Sequence, residues 1–358
     1  MKKLAKLAMM IIIIGVVGFL FYLNNKNEYK TEVVNYDNFY NENNIKIFYE
    51  DESEDSRLEK LREIYKVNDF IKDEKSEMDI ALRLVDVVNS IVEYDEVKDS
   101  GENNAFDILK DMKERTKVSG KDMAIIYRDL LYSVGIKARV GEFRNERTLL
   151  SRDEKYFVVE YWSEEYSKWI MVDFIEKGYI VKDNSPLSAI EIVDERKSTI
   201  EFLGKIDTKI YKERNLEKFQ TYTINIDNTL DMKKSNSALT FVESEKGIYL
   251  EHCNKFIQPT IFTETTDIFL NSPEYEITKK DTKPYIILMK KSGENNKFTV
   301  AAFKDGNIIE DYYIKINKDD FKKQDKYFEV ELDTSVTSIE ISTDGKESCS
   351  KLEVKLNY

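Results

Sequence analysis

The chain has 358 residues, enough for about two folded domains with extensions. Hydrophobic residues make up 41% of it, with 22 tyrosines and 19 phenylalanines but only 4 prolines, which excludes a largely disordered chain. A net charge of −13 at pH 7 excludes a nucleic-acid-binding protein that depends on phosphate contacts, because the acidic excess would repel the backbone.

The N-terminus predicts a membrane anchor. Three lysines precede the apolar residues 7–23, and no charge lies between Lys6 and Lys26. A run of about 17 apolar residues can span a bilayer, and lysines on its N-terminal side favour a cytoplasmic N-terminus. We therefore expect residues 1–26 to form a signal anchor, with a single pass through the cell membrane and the remaining chain extracellular. A cleaved signal peptide is the alternative, but no small-residue cleavage site follows the run.

Residues 27–55 are polar and acidic with scattered aromatics, which predicts a stalk carrying one short strand at 45–49. Helical patterning begins near Arg57. Residues 77–97 place apolar side chains at i, i+3 and i+4 spacing, and a shorter helix is expected after Asn104 as its N-cap.

A third helix is expected after Ser119, ending at Gly135, which suits the left-handed residue beyond a helix. Strands follow in the segments IKARVGEF, KYFVVEYWS and KWIMVDF, and the last two are close enough to form a hairpin. Ser185 and Pro186 then predict the start of another helix, as N-cap and first helical residue.

From about residue 218 the hydrophobic pattern changes to the two-residue period of strands, and Asp305-Gly306 is a strong hairpin signal. Short strands at about ten-residue spacing favour a β-sandwich over residues 218–358. The boundary near 205–218 rests on this change of period alone.

Over roughly residues 75–195 the chain resembles the transglutaminase-like (papain-related) superfamily. The matching landmarks are the start of the third helix (Asp122, Met123, Ala124), the segment GIKAR (135–139), Glu160, Trp169 and Asp173. The resemblance implies an α+β domain over residues 56–210, with transglutaminase-like helices packed on an antiparallel sheet. It also implies a Cys-His-Asp triad, whose positions are taken here by Gly120, Tyr156 and Asp173.

Two of the three triad positions are therefore substituted. A thiol enzyme of this kind needs a thiolate beside an imidazole that later protonates the leaving amine. Gly120 offers no nucleophile, and a tyrosine with its ordinary pKa near 10 is a poor substitute for histidine. We expect Ser119 to cap the helix rather than to act as the nucleophile, and Asp173 to be a structural carboxylate.

The strands of this region are rich in aromatic residues. Most are expected in the core, but a groove lined by Ser119, Glu160, Trp162 and Trp169 is a candidate binding site for a peptide or sugar.

The sequence predicts neither a metal nor a cofactor. Its one histidine, His252, neighbours Cys253, and adjacent strand residues point to opposite faces, so they cannot form a nucleophile-base pair. Cys253 and Cys349 are either a disulfide, which an extracellular location permits, or two unbridged thiols.

These observations favour a membrane-anchored extracellular protein with a catalytically inactive transglutaminase-like domain. Its expected role is binding or scaffolding at the cell envelope, with a protein, wall polymer or glycan as partner and no nucleic acid. One alternative is a peptidase, amidase or transglutaminase-type enzyme with a different nucleophile. The other is a carbohydrate-binding surface protein that acts through the C-terminal sandwich, an analogy at the level of the fold.

Overall fold

The protein is α+β, with sheets that are mostly antiparallel and several strands in its C-terminal region. A computed structural model describes residues 30–37, 47–50, 55–110, 116–144, 155–196, 198–235, 238–241, 248–251, 260–263, 266–273, 284–290, 294, 296–304 and 307–357. The helices are α1 (Ser56–Ile64), α2 (Val67–Ile71), α3 (Glu77–Ile91), α4 (Ala105–Leu109), α5 (Gly120–Ser133), α6 (Ala189–Glu195), α7 (Thr208–Asn215) and α8 (Asp267–Leu270).

The first half of the described chain contributes ten strands. They are β1 (Lys30–Asp37), β2 (Val92–Tyr94), β3 (Thr116–Val118), β4 (Ala138–Arg144), β5 (Tyr156–Ser163), β6 (Lys168–Asp173), β7 (Gly178–Lys182), β8 (Ser185–Pro186), β9 (Glu201–Leu203) and β10 (Thr221–Asn225). The later strands are β11 (Ala238–Phe241), β12 (Ile248–Glu251), β13 (Thr260–Thr263), β14 (Tyr285–Lys290), β15 (Lys297–Lys304), β16 (Asn307–Ile308), β17 (Asp311–Ile316), β18 (Lys322–Asp325), β19 (Tyr327–Glu331), β20 (Thr337–Ser342) and β21 (Ser350–Asn357).

Helix α5 is the buried centre of the helical region, and its predicted position is confirmed. The Ser119 side chain caps its N-terminus, and Gly135, at φ 88°, follows its C-terminus in the left-handed region that glycine tolerates. Every α5 side chain from Asp122 to Ser133 is buried. The predicted helices before it are also present as α3 and α4, capped by Ser76 and Asn104.

Strands β4, β5 and β6 form the antiparallel sheet on which α5 packs. Val140 pairs with Val159, which pairs in turn with Val172, and the predicted β5–β6 hairpin is confirmed. Because successive strand residues point to opposite faces, the sheet has two distinct sides. The side facing α5, the helix face, joins a hydrophobic cluster that includes Met123, Leu130, Val140, Val159, Ile170 and Val172. The other side, the far face, belongs to a second cluster that includes Phe143, Tyr156, Val158, Met171 and Tyr222.

The sheet continues through the predicted domain boundary. In the described residues, β10 pairs with β4, and the strand order runs β18-β17-β20-β21-β1-β12-β13-β11-β10-β4-β5-β6-β7-β8. A second sheet holds β14, β15, β16 and β19. Buried side chains of both sheets lie in one cluster, among them Leu288, Val300, Ile341 and Val354.

Two local predictions differ from the structure. Ser185–Pro186 is a short strand paired with β7, and α6 begins three residues later with Ser188 as N-cap, because Ser188 and Glu191 form a reciprocal capping box. Lys30–Asp37, within the predicted stalk, is a strand of the large sheet. The hairpin signal Asp305-Gly306 lies outside the described residues, although the flanking strands β15 and β16 do pair antiparallel.

The predicted anchor, residues 7–23, also lies outside the described residues. Among the helices that the structure describes, none combines the length and the apolar character needed to cross a membrane.

Candidate functional site

The head of α5 is where the resemblance implies a nucleophile. The Ser119 hydroxyl accepts the Asp122 backbone N–H at 3.1 Å and lies 3.0 Å from the Asp122 carboxylate, to which it donates. That carboxylate also accepts the backbone N–H and the hydroxyl of Ser100, at 2.9 and 2.7 Å. The Ser119 hydroxyl is therefore engaged as a helix cap, as predicted, and the carboxylate beside it, that of Asp122, is itself held by Ser100.

Gly120, the first residue of α5, faces aromatic rings. A Cβ built on Gly120 would lie 3.3 Å from Cδ2 of Phe157 and 3.4 Å from Cε2 of Tyr94. The Tyr94 ring reaches this place because β2 and β3 pair in parallel, with Tyr94 opposite Val118, two residues before Gly120. The three atoms nearest to such a Cβ are therefore carbon atoms of the Phe157 and Tyr94 side chains.

Tyr156 lies on the far face of the sheet. It belongs to the far-face cluster, whereas its neighbour Phe157 packs against the helix-face cluster. The Tyr156 hydroxyl donates to Oδ2 of Asp173 at 2.6 Å, and its ring packs against Phe219 with centroids 5.5 Å apart. The structure therefore joins Tyr156 to Asp173, and it puts Phe157 rather than Tyr156 against Gly120.

Asp173 is fully buried and accepts four hydrogen bonds. Besides Tyr156, the Tyr211 hydroxyl donates to Oδ2 at 2.8 Å, and the backbone N–H groups of Ile175 and Glu176 donate to Oδ1 at 3.0 and 2.9 Å. Burial raises the pKa of the Asp173 carboxyl to about 6, against the lowering effect of these hydrogen bonds. With each oxygen occupied by two donors, the carboxyl serves to join β5, β6 and α7.

The tyrosines around Asp173 cannot act as bases near neutral pH. Burial, together with the nearby Asp173 carboxylate, raises the pKa values of Tyr156 and Tyr211 well above 10. Both phenols therefore stay protonated and act as hydrogen-bond donors. The predicted structural role of Asp173 agrees with these contacts.

A second polar cluster on the far face is centred on Arg139 and Glu160. Their side chains form a fully buried ion pair at 2.7 Å. Glu160 also accepts the Tyr222 hydroxyl at 2.5 Å and the Ala189 backbone N–H at 2.8 Å, and Arg139 donates to the Phe269 carbonyl at 2.6 Å. These contacts satisfy both charges and join β4, β5, β10, α6 and α8.

The two tryptophans pack edge to face beside this ion pair. The Trp162 and Trp169 ring centroids are 5.6 Å apart, and the Arg139 guanidinium lies 4.1 Å from the Trp169 ring. Trp169 also stacks on Tyr49 and donates its indole N–H to the Asn271 carbonyl at 2.8 Å. Trp169 is completely buried, and Trp162 is partly exposed.

The predicted groove does not match this burial. Of its four proposed lining residues, Ser119, Glu160 and Trp169 are buried and hydrogen-bonded, so they offer no surface to a ligand. Trp162 alone keeps part of its ring accessible. The prediction failed because the types of residue in a strand do not show which face of the sheet is covered by other parts of the fold.

Three residues of the site were not predicted from the sequence: Phe157, Tyr94 and Tyr211. Phe157 could have been found from strand alternation, because it lies on the same face as Val159 and Tyr161, which contact the helices. The contact of Tyr94 with the Gly120 position depends on the pairing of β2 with β3. The contact of Tyr211 with Asp173 depends on α7, and no local sequence pattern predicts either contact.

The cysteine predictions remain untested. Cys253 and its neighbour His252 lie outside the described residues, whereas the Cys349 thiol is 3.3 Å from the Ile341 carbonyl. Within the described residues, no group of His, Cys, Asp and Glu side chains has the arrangement of a metal site.

Comparisons with known proteins add little to this geometry. No protein-family model matches the chain, and no curated protein matches it. Among solved structures, a similar chain is a protein described as a "putative cysteine protease" from Cytophaga hutchinsonii, at 20% identity and a TM-score of 0.27. The match covers 34% of this chain and 40% of that chain, and at this TM-score it carries no conclusion about fold or activity.

Proposed function

We propose that the protein is a membrane-anchored extracellular protein whose transglutaminase-like domain binds a partner at the cell envelope without transforming it. The observation that carries the proposal is the head of α5, where Gly120 meets the rings of Phe157 and Tyr94. Thiol chemistry at this place would need a thiolate and an imidazole in contact.

The two other candidate catalytic groups, Ser119 and Asp173, support the same conclusion. Ser119 is engaged by Asp122, and Asp173 is fully buried on the other face of the sheet with four donors. An enzyme with a different nucleophile would need an accessible hydroxyl within reach of a base. A carboxyl with a pKa of about 6 has the acidity of a general acid, but full burial keeps Asp173 from a substrate.

An exposed aromatic side chain beside the head of α5 supports a binding role. Tyr94 is 40% exposed while its ring edge lies against Gly120, and Phe157 next to it is partly exposed. Aromatic rings of this kind give a large contact area at small entropic cost, for a protein or a wall polymer.

An exposed tyrosine elsewhere provides a matched control. Tyr327, on β19 of the C-terminal region, is also 40% exposed. The full chain in detergent is incubated with isolated cell walls and envelope proteins, and the retained fraction is measured for Tyr94→Ala and Tyr327→Ala. The proposal predicts that only Tyr94→Ala lowers retention. Loss in Tyr327→Ala alone favours the alternative of glycan binding through a C-terminal sandwich.

An activity assay tests the enzymatic alternative directly. The same preparation is offered glutaminyl and wall-peptide substrates, and released amine is measured. The proposal predicts no release above the background. Release that disappears in Ser119→Ala or Asp173→Asn contradicts it.

A further inference from the structure

The first described strand, β1, is paired along both edges. Its pairing with β21 runs from Lys30 opposite Asn357 to Asp37 opposite Lys351, and its pairing with β12 joins Thr31 to Leu250 and Val33 to Ile248. Both pairings are antiparallel, and the pairing with β12 covers Thr31–Val33, so the backbone of this part of β1 bonds to a neighbour on each side.

β1 is the strand that joins two parts of the large sheet. In the strand order of the described residues, one part is β18-β17-β20-β21 and the other runs from β12 to β8. β1 lies between them. It therefore fills a groove whose walls, β12 and β21, come from the C-terminal region of the chain.

Two side chains of β1 differ sharply in exposure. The pairing with β21 skips Val34, which lies in a bulge and is 46% exposed, whereas the Thr31 side chain is 2% exposed. One side chain of the strand is thus held inside the sheet's core, and another on the same strand points into solvent.

The position of β1 in the chain connects this groove to the membrane. Residues 24–29 separate the predicted anchor from Lys30, and six extended residues span at most about 20 Å. If residues 7–23 cross the membrane, the paired ends of β1 and β21 lie close to its surface.

We propose that β1 is a docking strand, held between β12 and β21 by non-covalent contacts strong enough to retain the folded part of the chain at the membrane. The ligand of the groove is residues 30–37 of the chain itself, bound as an extended strand by backbone hydrogen bonds. The membrane part of this inference rests on the proposed anchor, whereas the docking part does not.

Cleavage of the full chain behind β1 tests the inference. A protease recognition sequence is inserted between Asn43 and Asn44, membranes holding the full chain are treated with the protease, and the released residues 44–358 are measured after washing. We expect most of this fragment to stay with the membranes. If most of residues 44–358 is instead released from the membranes when β1 has its natural sequence, the inference is overturned.

Two substitutions on the same strand give a matched comparison. Thr31→Asp should raise the released fraction at least about tenfold, because a charge without a partner is costly to bury. Val34→Asp adds the same charge at the exposed bulge and should leave release unchanged. Equal release in the two variants overturns the inference.

The same experiment separates docking from anchoring. If the uncleaved chain does not sediment with membranes, the proposed anchor is wrong, and docking is then read by size-exclusion chromatography of the cleaved chain. Co-elution of residues 1–43 with 44–358 supports docking, and separation contradicts it. Producing the two fragments separately in one cell gives the same readout without a protease.

Discussion

The two faces of the sheet formed by β4, β5 and β6 are built differently. The helix face packs apolar side chains against α5 and ends beside Gly120 at the rings of Phe157 and Tyr94. The far face buries charged groups, and each is paired: Arg139 with Glu160, and Asp173 with two tyrosines. Neighbouring residues on one strand therefore lie in different environments. One side chain packs toward α5, and the next along the strand lies on the face that holds the buried ion pair.

The largest expected effect is on the far face, at the buried ion pair. Glu160→Leu leaves the Arg139 guanidinium without its partner, and loss of one member of a buried pair costs about 3–5 kcal/mol of unfolding free energy. The double variant Arg139→Met/Glu160→Leu should recover much of this loss, because it removes both charges. Denaturant unfolding of the full chain measures the unfolding free energy of both variants. A single variant as stable as the double variant would contradict the claim that Arg139 and Glu160 depend on each other.

Asp173 should make the stability of the far face depend on pH. Its folded pKa of about 6 lies above the ordinary 3.8, so the folded state binds more protons between these values. The unfolding free energy should therefore fall as pH rises from about 4 to 7, by roughly 3 kcal/mol for a shift of about two pKa units.

The variant Asp173→Asn isolates this contribution. Unfolding is measured at several pH values for the natural chain and the variant, and the difference in unfolding free energy is followed. The stability advantage of the natural chain should shrink as pH rises. An advantage that stays constant or grows with pH would show that burial does not raise this pKa.

Local sequence patterns were sufficient for helices α3, α4 and α5 and for strands β4, β5 and β6. The i, i+3, i+4 spacing predicted α3, and the caps Asn104 and Ser119 helped to predict α4 and α5, because these features act within a few residues. The partners of Gly120, Asp173 and β1 come from distant parts of the chain. Strand pairing and α7 determine those contacts, and no local pattern encodes them.

The smallest expected effect is at the head of α5. Ser119→Ala removes a helix cap and should cost about 1 kcal/mol of unfolding free energy. Ser188→Ala, at the cap of α6, is the matched control and should cost a similar amount. Denaturant unfolding of both variants gives the comparison, and a Ser119→Ala variant as stable as the natural chain would show that the hydroxyl is not held as a cap.

The central claim is that Phe157, and not Tyr156, faces the head of α5, and disulfide trapping tests it most directly. A Cβ on Gly120 would lie 3.9 Å from Cβ of Phe157, and native disulfides join Cβ atoms about 3.5–4.5 Å apart. In a chain with Cys253→Ser and Cys349→Ser, mild oxidation should cross-link Gly120→Cys/Phe157→Cys and leave Gly120→Cys/Tyr156→Cys reduced, as read by mass spectrometry of the peptides. A cross-link to position 156 with none to position 157 would contradict the account.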